Sequence, residues 1–179
     1  MEAVLSLRSI FDKEFYEKVV TIAENACLIT KKKHPLDSDT YNTHARAVEC
    51  FFQKQYLATV FFASVGVERY LNKTLKRQKW KFLSSGSIME AYKAGMIAVA
   101  ELLDASEKSV LQTGKPKPLF CERRNKILHG DIEGLVKIKG PEIENNQTGL
   151  ESESSLIVIS FQMSAYDQLL KFQKFLLKI

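Results

Sequence analysis

The chain has 179 residues, 45% hydrophobic and 26% charged, the make-up of one globular domain with a sizeable core rather than a fibrous or disordered segment. Its formal net charge of +5 suits a polyanionic partner without requiring one, because plain surface basicity gives the same figure. No apolar run reaches bilayer-spanning length, Met1-Glu2-Ala3-Val4 does not open a signal peptide, and Cys27, Cys50, Cys121, His34, His44 and His129 are scattered, which argues against a disulfide framework or a metal centre and fits a reducing cytoplasm.

The first predicted helix runs from about Phe11 to Lys33, with Ser9 and Asp12 at its opening and His34-Pro35 at its end. Phe15, Val19, Ile22, Ala26 and Ile29 return at helical spacing and mark one buried face. After the turn Asp37-Ser38-Asp39-Thr40, a helical pattern continues from Tyr41 to Arg77 through Val48, Phe51, Phe52, Tyr56, Val60, Ala63, Val67, Tyr70, Leu71 and Leu75. This is long for one helix, and the sequence offers two places to bend it, Gln53-Lys54-Gln55 and Gly66. Ala58, Ala63, Ser64 and Gly66 are small enough to admit another helix closely. His44 and Arg46 read as surface residues.

Ser84-Ser85-Gly86-Ser87 interrupts the chain, and helices follow from about Ile88 to Ala94 and Ile97 to Leu111. Thr113-Gly114-Lys115-Pro116-Lys117-Pro118 is a second break, after which Leu119 to Leu128 returns to helix and Gly130 is placed to end it. Residues 131–155 read as an insertion between the last two helices. Leu135–Ile138 and Leu156–Ile159 read as two short strands of a small hairpin around a polar loop. Ser164 then opens a final helix with Tyr166, Leu169, Leu170, Phe172, Phe175 and Leu176 on its apolar side. The whole is expected to be all-α: a single domain over residues 1–179, an up-and-down helical bundle with extra short helices and the hairpin insertion.

The chemistry concentrates in Glu122-Arg123-Arg124-Asn125-Lys126-Ile127-Leu128-His129-Gly130. Asn125 and His129 are four residues apart and share one helix face. By itself, such a cluster is what any helix C-terminus gains from cations near its last carbonyls.

Arg124-Asn125-x-x-x-His129 resembles the R-x(4–6)-H signature of the HEPN superfamily, with a polar residue directly after the arginine. The stretch Ala58 to Leu71, alanine-rich with Glu68 before Arg69-Tyr70-Leu71, resembles that family's long upstream helix, and the likeness spans roughly residues 41–178. The resemblance implies a HEPN-type bundle acting as a homodimer. It further implies a metal-independent endoribonuclease without cofactor, in which two copies of the motif face one cleft. His129 would serve as acid or base, Arg124 as transition-state stabiliser and Asn125 as orienting group. Metal-free RNA cleavage needs groups of these types: a proton acceptor for the 2′-hydroxyl, an acid for the leaving 5′-oxygen, and donors for the phosphorane. Imidazole alone among the motif's side chains titrates near neutral pH, and guanidinium presents a planar fork to phosphate. Arg123 is a rival for the arginine role, and Glu68 a candidate partner for Arg123, Arg124 or His129.

In the family context such a nuclease would be a toxin or defence enzyme held by an antitoxin or a nucleotidyltransferase partner. The alternative is a non-catalytic dimerisation or partner-binding module of the same fold. A third reading is an RNA binder using Lys73, Lys76, Arg77, Lys79 and Lys81 around Trp80, although a solvated helix end accounts for the same cluster.

Overall fold

The computed structural model describes residues 2–32, 36–78, 81–111, 117–131 and 151–179, with side chains from residue 13 in the first stretch and from residue 160 in the last. The elements are α1 Glu2–Thr30, α2 Ser38–Phe52, α3 Tyr56–Thr74, α4 Ser85–Lys93, a 3-10 helix Ile97–Leu102, α5 Ala105–Val110, α6 Leu119–Leu128 and α7 Glu151–Lys178. Among the described residues the chain is helical, without a strand. None of these helices is long and apolar enough to cross a membrane.

Local chemistry accounts for most boundaries. The Asp37 carboxylate accepts the Thr40 amide and caps α2, as Asx side chains do at helix starts. The expected long helix from Tyr41 is two helices, broken at Gln53-Lys54-Gln55, the first of the two anticipated places. Lys54 adopts φ 59°. The Lys54 and Gln55 amides turn back to the carbonyls of Phe51 and Cys50, closing the helix end with a left-handed residue. Gly66 does not bend α3. It lies against α7, where a Cβ would run into the ring of the buried Phe172. A small residue is therefore required for contact between the two helices.

Three boundaries differ from expectation. The helix expected from Ile97 to Leu111 is a 3-10 helix, Ile97–Leu102, followed by a separate α5, Ala105–Val110, which Asp104 and Glu107 open with a capping box. Helix α1 starts at Glu2, so Ser9 lies inside it rather than at its cap. Helix α7 starts at Glu151, so the second expected strand, Leu156–Ile159, is helical. A short run of β-branched residues does not separate strand from helix by itself, and here it continues the strong helical pattern downstream. The first expected strand, Leu135–Ile138, lies outside the described residues.

Helix α7 is the central element and packs against α1, α2, α3 and the 3-10 helix, while α6 packs on α3. Ala165, Leu169, Phe172, Phe175 and Leu176 of α7 are fully buried with Phe51, Leu71, Ile88, Leu102 and Phe120. Each large side chain removed from water contributes about 1.5–3 kcal/mol.

Polar residues join α7 to its neighbours. The Gln168 amide donates to Ser64 Oγ on α3 and to the Phe120 carbonyl on α6, both at 2.9 Å. The Gln173 amide donates to the Ile22 carbonyl at 3.0 Å and lies 3.2 Å from His44 Nε2. With both amide hydrogens directed outward, His44 Nε2 acts as acceptor and the ring is neutral. His44 is thus not the surface residue its position suggested. It is 3% exposed, edge-on to Phe172, and burial pushes its pKa down to about 4.

Two expectations follow. Gly66→Val should lower stability by at least about 2 kcal/mol, because the Phe172 ring must move and overpacked cores typically lose ~1–3 kcal/mol. Urea denaturation measures it, and an unchanged midpoint would refute the close approach. His44 takes up a proton near pH 6.5 when unfolded but only near 4 when folded. Its contribution to stability is therefore complete above about 6.5 and is lost as pH falls toward 4, at up to about 1.4 kcal/mol per unit. His44→Leu should flatten the pH dependence of stability across that window, and wild-type slope in the variant would contradict the assignment.

Candidate active site

The site begins with the way α6 is held. At its N-terminus the Glu107 carboxylate accepts the Leu119 amide at 2.7 Å and, through its other oxygen, the Asp104 amide at 2.8 Å. One acid therefore caps α5 and satisfies a first-turn donor of α6. Phe120 and Cys121 are buried, and burial pushes the Cys121 thiol up to about 12, against an opposing pull from Arg124. That thiol is chemically quiet. At the other end Gly130, at φ 69°, reverses the chain. The Gly130 and Asp131 amides return to the carbonyls of Ile127 and Lys126, and His129 is the C-cap.

The two consecutive arginines leave α6 in different directions. Arg123 is 6% exposed and pairs with Asp167 of α7. Asp167 lies 3.0 Å from Lys171, which is 2.7 Å from Asp104. Burial alone would raise the Asp167 pKa, but the Lys171 and Arg123 cations outweigh it and hold the carboxyl below its usual range. This chain of alternating charges ties α6 and α7 to the start of α5.

Arg124, 5% exposed, turns instead to α3. Its Nη2 donates to Glu68 Oε2 at 2.9 Å and its Nη1 to Asn125 Oδ1 at 3.1 Å. The guanidinium carbon lies 4.7 Å from the centre of the Phe82 ring. Glu68 Oε2 also accepts the Leu83 amide at 2.7 Å. One carboxylate thus holds both the arginine and the loop that carries Phe82.

Asn125 and His129 are exposed. Arg124 donates to the Asn125 side-chain oxygen, and the exposed Asn125 keeps its amide hydrogens as further donors. The site residues anticipated from sequence therefore divide. Glu68, Arg124 and Asn125 are linked by hydrogen bonds, His129 stands one turn beyond Asn125 on the same helix, and Arg123 belongs to the separate network with Asp167.

The basic cluster is also divided. Lys73, Lys76 and Arg77 line a cleft of about 640 Å³ with Arg69, Asn72, Asp37 and Asp39. Arg77 is held by Ser87 Oγ and lies 3.4 Å from Glu90, so its guanidinium serves the α3–α4 junction. Lys81 is exposed in the next loop. Lys79 and Trp80 lie outside the described residues.

Sequence reading missed Asp167, Lys171 and Phe82. The first two carried a signal, an acid and a base four apart within an otherwise apolar helix. Phe82 carried none, since Lys81-Phe82-Leu83 reads as the edge of a core. No family model matches the chain, and no curated protein or solved structure is significantly similar to it.

Removing one partner of a buried ion pair leaves an uncompensated charge and costs about 3–5 kcal/mol. Glu68→Ala is expected to fall in that range, because it also strands the Leu83 amide. Glu68→Ala/Arg124→Ala should lose clearly less than the sum of the single substitutions. A double-mutant cycle in urea checks this, and strict additivity would mean the two groups do not interact.

Proposed function

We propose that the chain is a HEPN-type domain that pairs with a second copy and cleaves RNA without a metal ion. The observation that carries the reading is the buried Glu68–Arg124 pair, which fixes the last turn of α6 so that Asn125 and His129 stand exposed together.

In this reading His129 takes the 2′-hydroxyl proton and returns a proton to the leaving 5′-oxygen. The 2′-oxygen bonds to phosphorus as the 5′-oxygen leaves, giving a 2′,3′-cyclic phosphate and a free 5′-hydroxyl. The outward Asn125 amide donates to a phosphate oxygen. Arg124, its charge balanced by Glu68, acts from beneath by orienting and polarising Asn125 through their hydrogen bond. A protein inhibitor, such as an antitoxin or a nucleotidyltransferase partner, would act by covering this turn.

A second reading has its own support. Arg124 is buried with Glu68, Asn125 and Phe82 around its guanidinium, as befits a structural cation in a non-catalytic dimerisation or partner-binding module. The cleft lined by Lys73 and Lys76 also holds Asp37 and Asp39, and Lys73 pairs with Asp37 at 3.7 Å, so it lends RNA binding little support of its own.

The structure selects the variants for the test. Arg124→Ala removes a buried ion-pair partner, and Asn125→Ala removes an acceptor of the buried guanidinium, so both confound chemistry with folding, whereas His129 is exposed and can be replaced without a core penalty. Labelled RNA in EDTA should be cleaved by wild type to cyclic-phosphate ends. His129→Ala should lose about 10²–10⁴-fold in rate, with an unchanged urea midpoint. Equal cleavage by both proteins, or none by wild type across varied RNAs, would refute the nuclease and favour the interaction module. RNA affinity that falls with salt and survives His129→Ala would mark binding without catalysis.

A further inference from the structure

We infer that Phe82 is the nucleobase-stacking residue of this site, a role that rests on the reading of the Asn125–His129 turn as RNA-binding. Phe82 is a large apolar side chain that is 65% exposed. The backbone around it is nevertheless held on every side. The Lys81 carbonyl accepts from Asn72 Nδ2 at 2.6 Å, the Leu83 amide donates to Glu68 at 2.7 Å, and the Phe82 carbonyl accepts from Ser87 Oγ at 3.4 Å. Next to it Leu83 is buried and anchors the loop in the core. The ring is therefore presented outward by a fixed segment.

The Arg124 guanidinium lies over the ring, 4.7 Å from its centre, while most of the residue remains open to solvent. The same guanidinium donates to Asn125, so the ring and the exposed Asn125 side chain both contact one cation. That juxtaposition matches a single nucleotide. A flat π surface takes the base, amide and imidazole donors take the adjoining phosphate, and Lys81 beside the ring is exposed to meet the backbone. Stacking on a phenyl ring tolerates any base, since every base offers a π face. The proposed site thus selects unpaired RNA without strong sequence preference.

The test compares fluorescein-labelled oligoadenylate with an abasic ribose-phosphate oligomer of equal length, by fluorescence anisotropy. It is done in the His129→Ala protein so that the strand stays intact. Adding Phe82→Ala should weaken oligoadenylate binding about tenfold or more and leave the abasic oligomer unchanged, while Phe82→Trp should restore the loss. Unaltered oligoadenylate affinity in Phe82→Ala, or equal loss on both oligomers, would overturn the stacking role. So would a shift from dimer to monomer by light scattering, which would make Phe82 an interface residue. Failure of stacking alone leaves metal-free, His129-dependent cleavage intact. If the His129→Ala protein binds neither oligomer and wild type cleaves nothing, the RNA reading falls with it.

Discussion

A single carboxylate organises the end of the bundle that carries the candidate site. Glu68 leaves the middle of an apolar helix and accepts from both Arg124 and the Leu83 amide. An acid in that setting must be paired, because its desolvation is otherwise prohibitive. The pairing brings α6 and the loop before α4 to the same side of α3. Asn125 and Phe82 then meet at one guanidinium, with His129 one turn beyond Asn125, although α6 and the loop that carries Phe82 are not adjacent in the chain.

The rest of the fold supplies rigidity to that arrangement. Helix α7 buries Ala165, Leu169, Phe172, Phe175 and Leu176 in the core, yet it also carries Asp167, Gln168, Lys171 and Gln173, which link it to α6, α3, α5 and the α1–α2 pair. Apolar contacts alone let helices slide with small energy changes, whereas a buried polar group is satisfied at one register only. Gln168 joins α7 to α3 and α6 together, and Arg123 adds a second attachment of α6 to α7. The exposed last turn of α6 therefore stands on a helix held along most of its length.

These linkages also set what each element can do chemically. Cys121 and His44 are reactive residue types rendered inert by burial. The thiol is raised to about 12 and the imidazole lowered to about 4, both far from the range in which they would exchange protons. Of the histidines among the described residues, His44 and His129, only His129, at the end of α6, is exposed.

The helices, the break at Gln53–Gln55 and the end of α6 at Gly130 were legible because they are local. Apolar spacing, Asx capping and left-handed termini act within a few residues of one another. The Arg-Asn-x-x-x-His motif and the acid of α3 were legible for the same reason, as residue types in order. Local pattern misled at Leu156–Ile159, where a β-branched run continues a helix, and at His44, whose burial depends on Gln173, 129 residues away. Only the tertiary structure decided between the two arginines, giving Arg123 to Asp167 across 44 residues and Arg124 to Glu68 across 56. Adjacent residues on a helix point about 100° apart, so whichever helix packs beside each face chooses its partner. The position of Phe82 was decided in the same way: a ring beside Leu83 belongs equally to core or surface until Glu68 and Asn72 hold the loop.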